Sequence, residues 1–500
     1  MANDRVTAPG LSAGAAGTLV FVASGAVLVL EILSLRLVAP YLGLTLQTST
    51  AIIGFALAAI AAGAWVGGWV ADHVPSQRLL GPVLLAAGVA VLFVGPLVRW
   101  TGEQVRGGDV SAVLLMAALA VFIPASLLSA VTPMVVKLRL ATLSETGAVV
   151  GRLSGIATLG ALVATFTTGF LLVAAMPTSA ILLALGGTLI LIGAVLTIRF
   201  RGVAAVAGSL AVAVLGVASV AATPTPCDVE TAYHCARIVV DDARPTGRTL
   251  ELDTLRHSYV DLADPTHLEF SYIRGIASVV DAALPGTAIR ALHLGGGGLT
   301  FPRYLAATRP DSQNLVLEID GGVVDLDTTR LGLQLGEEVA VRVQDARAGL
   351  AAEAASSRDV VVGDAFGGLT VPWHLTTREA VAEVRRVLTP DGLYLVNVID
   401  YPPARFARAE VATIADVFPY VALLARPLVF TGVDGGNLVI VASDRPLPVE
   451  EVEAQLSERA PELDLLTVPA GISAFVGDAR VVLTDDFAPV DQLVTPYSAR

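Results

Sequence analysis

The chain has 500 residues, 54% of them hydrophobic and 15% charged, and a mean hydropathy of +0.71 excludes a protein that is water-soluble throughout. Charge divides it: ten basic residues stand against six acidic ones up to Ala222, and 22 against 39 beyond it. The second part is acidic and water-facing, which excludes nucleic acid as a natural partner and suits either plain solubility or cationic ligands.

Apolar stretches near 17–38, 50–70, 79–98, 111–134, 147–174, 178–198 and 203–222 each have about the 20 residues needed to cross hydrocarbon. Seven transmembrane helices are therefore expected within a domain spanning 1–222, with the lipid bilayer as partner. The first stretch lacks a basic leader and is followed by further spans, which predicts a span rather than a cleaved signal. Gly63, Gly67 and Gly68 have the small-residue spacing that lets helices approach closely. Glu31 and Arg36 fall in or at the end of the first span, where unpaired charge is costly. They read either as part of a polar pathway or as a buried pair, or snorkelling arginine, that fixes the bundle.

Arg5, Arg78, Lys137, Arg139, Arg152, Arg199 and Arg201 fall on the side of the N-terminus, and Arg36, Arg99 and Arg106 fall opposite. This bias predicts a cytoplasmic N-terminus, and an odd number of spans then puts the acidic domain outside. Cys227 and Cys235 read as a short disulfide or as two free thiols. A metal site joining them to His234 lacks a fourth ligand and the usual spacing, so no metal is expected.

A linker, Ala222–Pro226, carries two stiffening prolines. Ala236–Asp242, Thr249–Asp253 and His257–Asp261 then alternate apolar and polar residues, which predicts a small antiparallel hairpin lobe within 223–284. Phe270–Ala283 has helical spacing. Over 285–500, short apolar strands alternate with helical segments: 288–294, Asn314–Asp320, Ala340–Asp345, Asp359–Asp364 and Gly392–Asp400, with further strands at Tyr420–Ala425 and Asn437–Ser443. That alternation predicts an α/β, Rossmann-like doubly wound sheet, mostly parallel and covered on both faces.

Ligands in such sheets bind at the carboxyl ends of the strands, where four candidates cluster. The run Ala291–Leu294 ends in Gly295, Gly296, Gly297 and Gly298, a turn through which a backbone can approach a nucleotide closely. Glu318, before Asp320, suits the two hydroxyls of a ribose. Asp345 suits an exocyclic amine of the base, or else caps the following helix. Asp364 suits a general base or an anchor for an amine.

These segments resemble the spermidine synthase family of aminopropyltransferases, in the form fused to a bacterial multi-span membrane domain, over nearly the whole chain. Gly295–Thr300 resembles the family's glycine run, Leu317–Asp320 its ribose-binding segment, Gln344–Ala346 its adenine segment and Asp359–Asp364 the strand ending in the catalytic aspartate. Gly247–Asp253 and Glu269–Tyr272 resemble the hairpin lobe over the amine substrate, and Leu483–Pro489 a late segment of the fused members. Glu31–Arg36 and Gly151–Leu153 resemble the membrane part of that group. The resemblance implies a bacterial plasma-membrane location and transfer of an aminopropyl group from decarboxylated S-adenosylmethionine to a small amine. Asp364 would be the catalytic base, and Gly295, Gly296, Gly297, Glu318, Ile319, Asp345 and Ala346 would hold the nucleoside. His257, where the family usually has glutamine, and Tyr272 would contact the amine. A homodimer is compatible with it. Gly298 and Gly367 stand where the family has aspartates, so the amine half of the site departs from the pattern.

Three functions remain open on these residues. One is aminopropyl transfer to a polyamine or related amine. Another is methyl transfer from S-adenosylmethionine on the same sheet, and the third is a transporter or sensor that binds such ligands without turning them over.

Overall fold

The computed structural model describes residues 11–105, 110–140, 146–202, 205, 214–218, 227–286, 288–365, 371–477 and 480–495. The chain divides into two compact units, residues 1–225 with the last two residues, and residues 226–498.

In the first unit, among the described residues, six helical segments are long and apolar enough to cross a membrane: Ala13–Leu42, Leu46–His73, Ser76–Gln104, Val110–Arg139, Thr146–Leu172 and Thr178–Arg201. They match six of the expected spans. Most of the seventh, 203–222, lies outside the described residues, though 214–218 are helical. Close packing here depends on small residues. A Cβ on Gly63 would collide with the Ser126 carbonyl, and one on Gly67 would lie 2.6 Å from Ala130 Cα, whereas Gly68 meets nothing nearer than 3.9 Å. Two of the three glycines are thus contact points between the second and fourth segments. Glu31 and Arg36 are both partly buried.

The second unit opens with a four-stranded antiparallel sheet in the order β1 (Val229–Glu230), β2 (Cys235–Val240), β3 (Gly247–Leu252) and β4 (Leu255–Asp261). Cys227 and Cys235 are joined by a disulfide across the β1–β2 turn. Inward residues Ala236, Leu250 and Leu252 form a small core with Val323 and Leu326 of the helix Gly321–Arg330 and with Leu331, which ends it. That contact seats the hairpin lobe beside the turn that follows β6.

The main sheet has eight strands: β5 (Arg290–Leu294), β6 (Gln313–Glu318), β7 (Val339–Val343), β8 (Arg358–Gly363), β9 (Leu388–Asp400), β10 (Tyr420–Ala425), β11 (Gly436–Ser443) and β12 (Asp464–Leu466). Their order is β12-β10-β11-β9-β8-β5-β6-β7. β7, β6, β5, β8 and β9 are parallel, and β11, β10 and β12 continue the sheet antiparallel. The sheet is therefore more mixed than strand alternation suggests. Its buried strands read as near-continuous apolar runs because helices cover both faces. On one face Leu292, Leu294, Val361 and Tyr394 pack against the helices Ala346–Ala352, Arg378–Val387 and Arg405–Val417. On the other, Ala291, Val360, Val362 and Leu395 pack against Ser271–Ala283, Thr300–Thr308 and Val449–Arg459.

β5 and β8 are neighbours, and the strand order reverses between them, since β6 and β7 continue to one side of β5 and β9 follows β8 on the other. A crevice outside the strand ends at such a reversal is where open α/β sheets bind ligands.

Candidate active site

The glycine turn lies at that reversal. Gly295 has φ +94°, a conformation L side chains rarely adopt, and a Cβ there would collide with the Asp364 carbonyl oxygen. The backbone links the strand ends: Asp364 N–H donates to Leu294 O and Gly295 N–H to Leu317 O, both at 2.9 Å. This seam brings the glycines, Glu318 and Asp364 to one edge of the sheet.

Glu318 is engaged by backbone at both oxygens. Gly296 N–H donates to Oε2 and Asp320 N–H to Oε1, each at 2.8 Å, so the carboxylate ties the glycine turn to the end of β6. Asp320 is fully buried. It caps the helix Gly321–Arg330 through Gly322 N–H and accepts a short hydrogen bond from the Thr231 hydroxyl of the disulfide-closed turn. Ile319, between the two acids, is 43% exposed and presents an apolar surface at the crevice.

Asp345 caps the helix Ala346–Ala352, Ala348 N–H donating to Oδ1 at 3.0 Å. His374 Nε2 lies 3.0 Å from the other oxygen. Partial burial works to raise its pKa, but these two hydrogen bonds outweigh it and hold the carboxyl below its ordinary value. Ala346 is buried beneath it.

Asp364 follows β8. The Tyr272 hydroxyl donates to its Oδ2 and Asn397 Nδ2 to its Oδ1, both at 2.9 Å. Asn437 Nδ2 in turn donates to Asn397 Oδ1 at 2.9 Å. Desolvation raises the Asp364 pKa despite both donors, and burial against Asp364 lifts the Tyr272 hydroxyl well above its ordinary value. The result is a partly buried carboxyl, held in one orientation, whose proton affinity is raised above the ordinary carboxylate value.

The structure brings Tyr272 to Asp364 but puts His257 elsewhere. His257 occupies an irregularity in the β3–β4 pairing, where Leu250 faces Ser258 and Glu251 faces Arg256. Its ring stands 6.2 Å from that of His234, which pairs with Asp253 at 3.1 Å. Burial first, then the nearby His234, lowers the His257 pKa to about 4. For His234, burial is outweighed by Asp253, Asp320 and Glu318, and its pKa is raised. His257 thus belongs to a histidine pair whose other member, His234, is acted on by Asp320 and Glu318.

Gly298 has a physical explanation. A Cβ at that position would lie 2.9 Å from Ser258 Cβ and 3.2 Å from Val260 Cγ2, while Gly298 N–H donates to Ser258 Oγ at 2.9 Å. β4 fills the space that a side chain there would need. Gly367 lies outside the described residues. Among the described residues, no group of three or more His, Cys, Asp or Glu side chains could hold a metal ion.

Sequence reasoning missed Asn397, Ser258 and Thr231, and weighed His234 only as a metal ligand. Asn397 had a readable signal, a polar residue within the apolar run Leu393–Ile399, whereas the others act through neighbours distant in sequence.

No family model matches the chain. It is 28% identical over 217 residues to a polyamine aminopropyltransferase of Vibrio vulnificus, a stretch covering 41% of this chain and 69% of that protein. It is also 31% identical over 178 residues to a probable polyamine aminopropyl transferase of Bifidobacterium longum, covering 32% and 39% of the two chains. Over these stretches the chain is similar to spermidine synthase-family aminopropyltransferases. Among solved structures, a probable spermidine synthase from Corynebacterium glutamicum is 29% identical to it, with 52% of this chain and 96% of that one covered and a TM-score of 0.48. The domain that carries this similarity shares the chain with helices of membrane-spanning length.

Proposed function

We propose that this chain is a membrane-anchored, spermidine synthase-like enzyme that transfers an aminopropyl group from decarboxylated S-adenosylmethionine to a small aliphatic amine. The observation that carries the reading is Asp364, partly buried beside the glycine turn and held by Tyr272 and Asn397. The acceptor nitrogen attacks the methylene carbon next to the sulfonium, the C–S bond breaks, and neutral methylthioadenosine leaves. Asp364 takes the proton that the amine must lose. Its raised pKa suits a base working near neutral pH. Gly295, Gly296, Gly297, Glu318, Ile319, Asp345 and Ala346 hold the nucleoside in this reading, and Tyr272 orients the base. His257 is assigned to the lobe above the amine, acting from the histidine pair rather than by direct contact with Asp364.

One observation favours a second reading. Because Ser258 and Val260 close the space beside Gly298, the turn offers no carboxylate for a cationic acceptor, which suits methyl transfer from S-adenosylmethionine to a neutral one.

We also assign the chain to a bacterial plasma membrane, with a cytoplasmic N-terminus and the synthase-family domain outside. The Arg/Lys bias of the loops and the Cys227–Cys235 disulfide support that orientation. A C-terminal reporter tests it: activity of an externally active fusion is expected, and a reporter active only in the cytosol overturns it. Calorimetry with decarboxylated S-adenosylmethionine, S-adenosylmethionine and methylthioadenosine tests the enzyme readings. Binding of at least one is expected, and binding of none overturns both.

A further inference from the structure

The late segment 483–489 is tied, contact by contact, to the carboxylate assigned to the base. Its turn closes on itself, Thr484 and Phe487 exchanging backbone hydrogen bonds at 3.0 Å. From that turn Asp485 accepts the Thr377 hydroxyl through Oδ1 at 2.6 Å and Arg347 Nη2 through Oδ2 at 3.0 Å. Arg347 lies on the helix Ala346–Ala352 that Asp345 caps, and its Nη1 donates to the His374 carbonyl at 2.9 Å and to Thr377 Oγ1 at 3.1 Å. Thr377 is fully buried and caps the next helix, Arg378–Val387. The backbone of His374 is thus clasped from both sides, while its ring reaches Asp345 Oδ2 at 3.0 Å.

Asp345 has its pKa lowered and is ionised at neutral pH, and a carboxylate only accepts hydrogen bonds, so the proton of this contact sits on His374 Nε2. With Oδ1 taken by Ala348 N–H and Oδ2 by the ring, the carboxylate is fixed in rotation and keeps spare lone pairs. It has no proton to give. A purine with an amino group at position 6 donates to such a surface, whereas one with an oxo group brings a second acceptor against it and leaves it unpaired.

Resting on the assignment of Asp345 to the base, we propose that His374 is a specificity-determining positioning residue: clasped by Arg347 and Asp485, it holds Asp345 as a fixed acceptor that selects a 6-aminopurine nucleoside over its 6-oxo counterpart. The late segment thereby takes part in base selection through these contacts alone.

The test is calorimetry on the full chain in detergent, with methylthioadenosine and methylthioinosine as probes. The parent chain is expected to prefer methylthioadenosine by about tenfold or more. His374→Phe keeps a ring and loses the donor; it is expected to cut that preference by about fivefold or more, through weaker methylthioadenosine binding. His374→Gln, which keeps a donor, is expected to recover most of the loss, a rescue that general damage to the fold would not show. Asp485→Asn is expected to lower the preference by about two- to fivefold, and it reads the same ratio should His374→Phe fail to fold. A preference unchanged in these variants, both nucleosides weakened alike with no recovery in His374→Gln, or equal binding of the two by the parent chain overturns the positioning role and leaves the aminopropyl-transfer reading standing. Binding of neither nucleoside to the parent chain overturns that reading, and the positioning role with it.

Discussion

Replacing Tyr272 with Phe removes one of the two donors to Asp364 and leaves the ring that packs in the core below it. The hydroxyl lies 2.9 Å from Oδ2, and a hydrogen bond to a charged group contributes about 1.5–3 kcal/mol, equivalent to roughly 10- to 150-fold in rate. The sign follows from the state that the bond favours. Burial already raises the Asp364 pKa, and the Tyr272 and Asn397 donors oppose that rise. Losing one donor raises the pKa further, so less of the carboxyl is ionised at a given pH and the acid limb of kcat/KM moves to higher pH. On that limb the loss approaches the stated range, and on the alkaline plateau it is smaller. The assay is aminopropyl transfer followed from pH 5 to 9, with methylthioadenosine binding as the control for an intact nucleoside site. An acid limb in the same place, with kcat/KM unchanged, would refute the role given to the pair.

Three further outcomes follow from the same geometry. Glu410→Gln is expected to stabilise the ligand-free protein increasingly as pH rises. Burial raises the Glu410 pKa well above its ordinary value, so the parent chain loses stability as pH climbs through the folded value and the variant does not; melting temperatures that differ equally at pH 5 and pH 8 would contradict this. Cys227→Ser is expected to destabilise the lobe by about 2–3 kcal/mol, the range for so short a loop, and to abolish any effect of reductant on melting. Gly298→Asp is expected to cost about 1–3 kcal/mol by overpacking against Ser258 and Val260, with Ser258→Gly recovering part of it. Equal melting of Gly298→Asp and the parent chain would show that β4 yields easily.

Much of the sheet was legible because its parallel strands are buried on both faces. β8 reads as Val360, Val361 and Val362 ending towards Asp364, and β10 begins and ends where the alternation of apolar residues put it. The short β12 was not legible: three residues pair with β10 only after the chain has passed through the helix Val449–Arg459. At the site, the glycine turn and the acids at strand ends were visible because strand order alone brings them together. The bond from Asn397 to Asp364 spans 33 residues, and no local pattern encodes it. Gly298 was visible as a missing acid, but the cause, Ser258 of a different sheet occupying the space, needed the fold. Asp345 shows both sides: the helix cap was readable from its place before Ala346, while the His374 contact was not.

The most direct test of the central claim is mass spectrometry of the products formed from decarboxylated S-adenosylmethionine and diaminobutane. The account predicts an amine heavier by one aminopropyl group, methylthioadenosine in equal amount, and neither product with Asp364→Asn. Transfer that persists in Asp364→Asn, or a methylated product formed from S-adenosylmethionine with no aminopropylated amine, would contradict it.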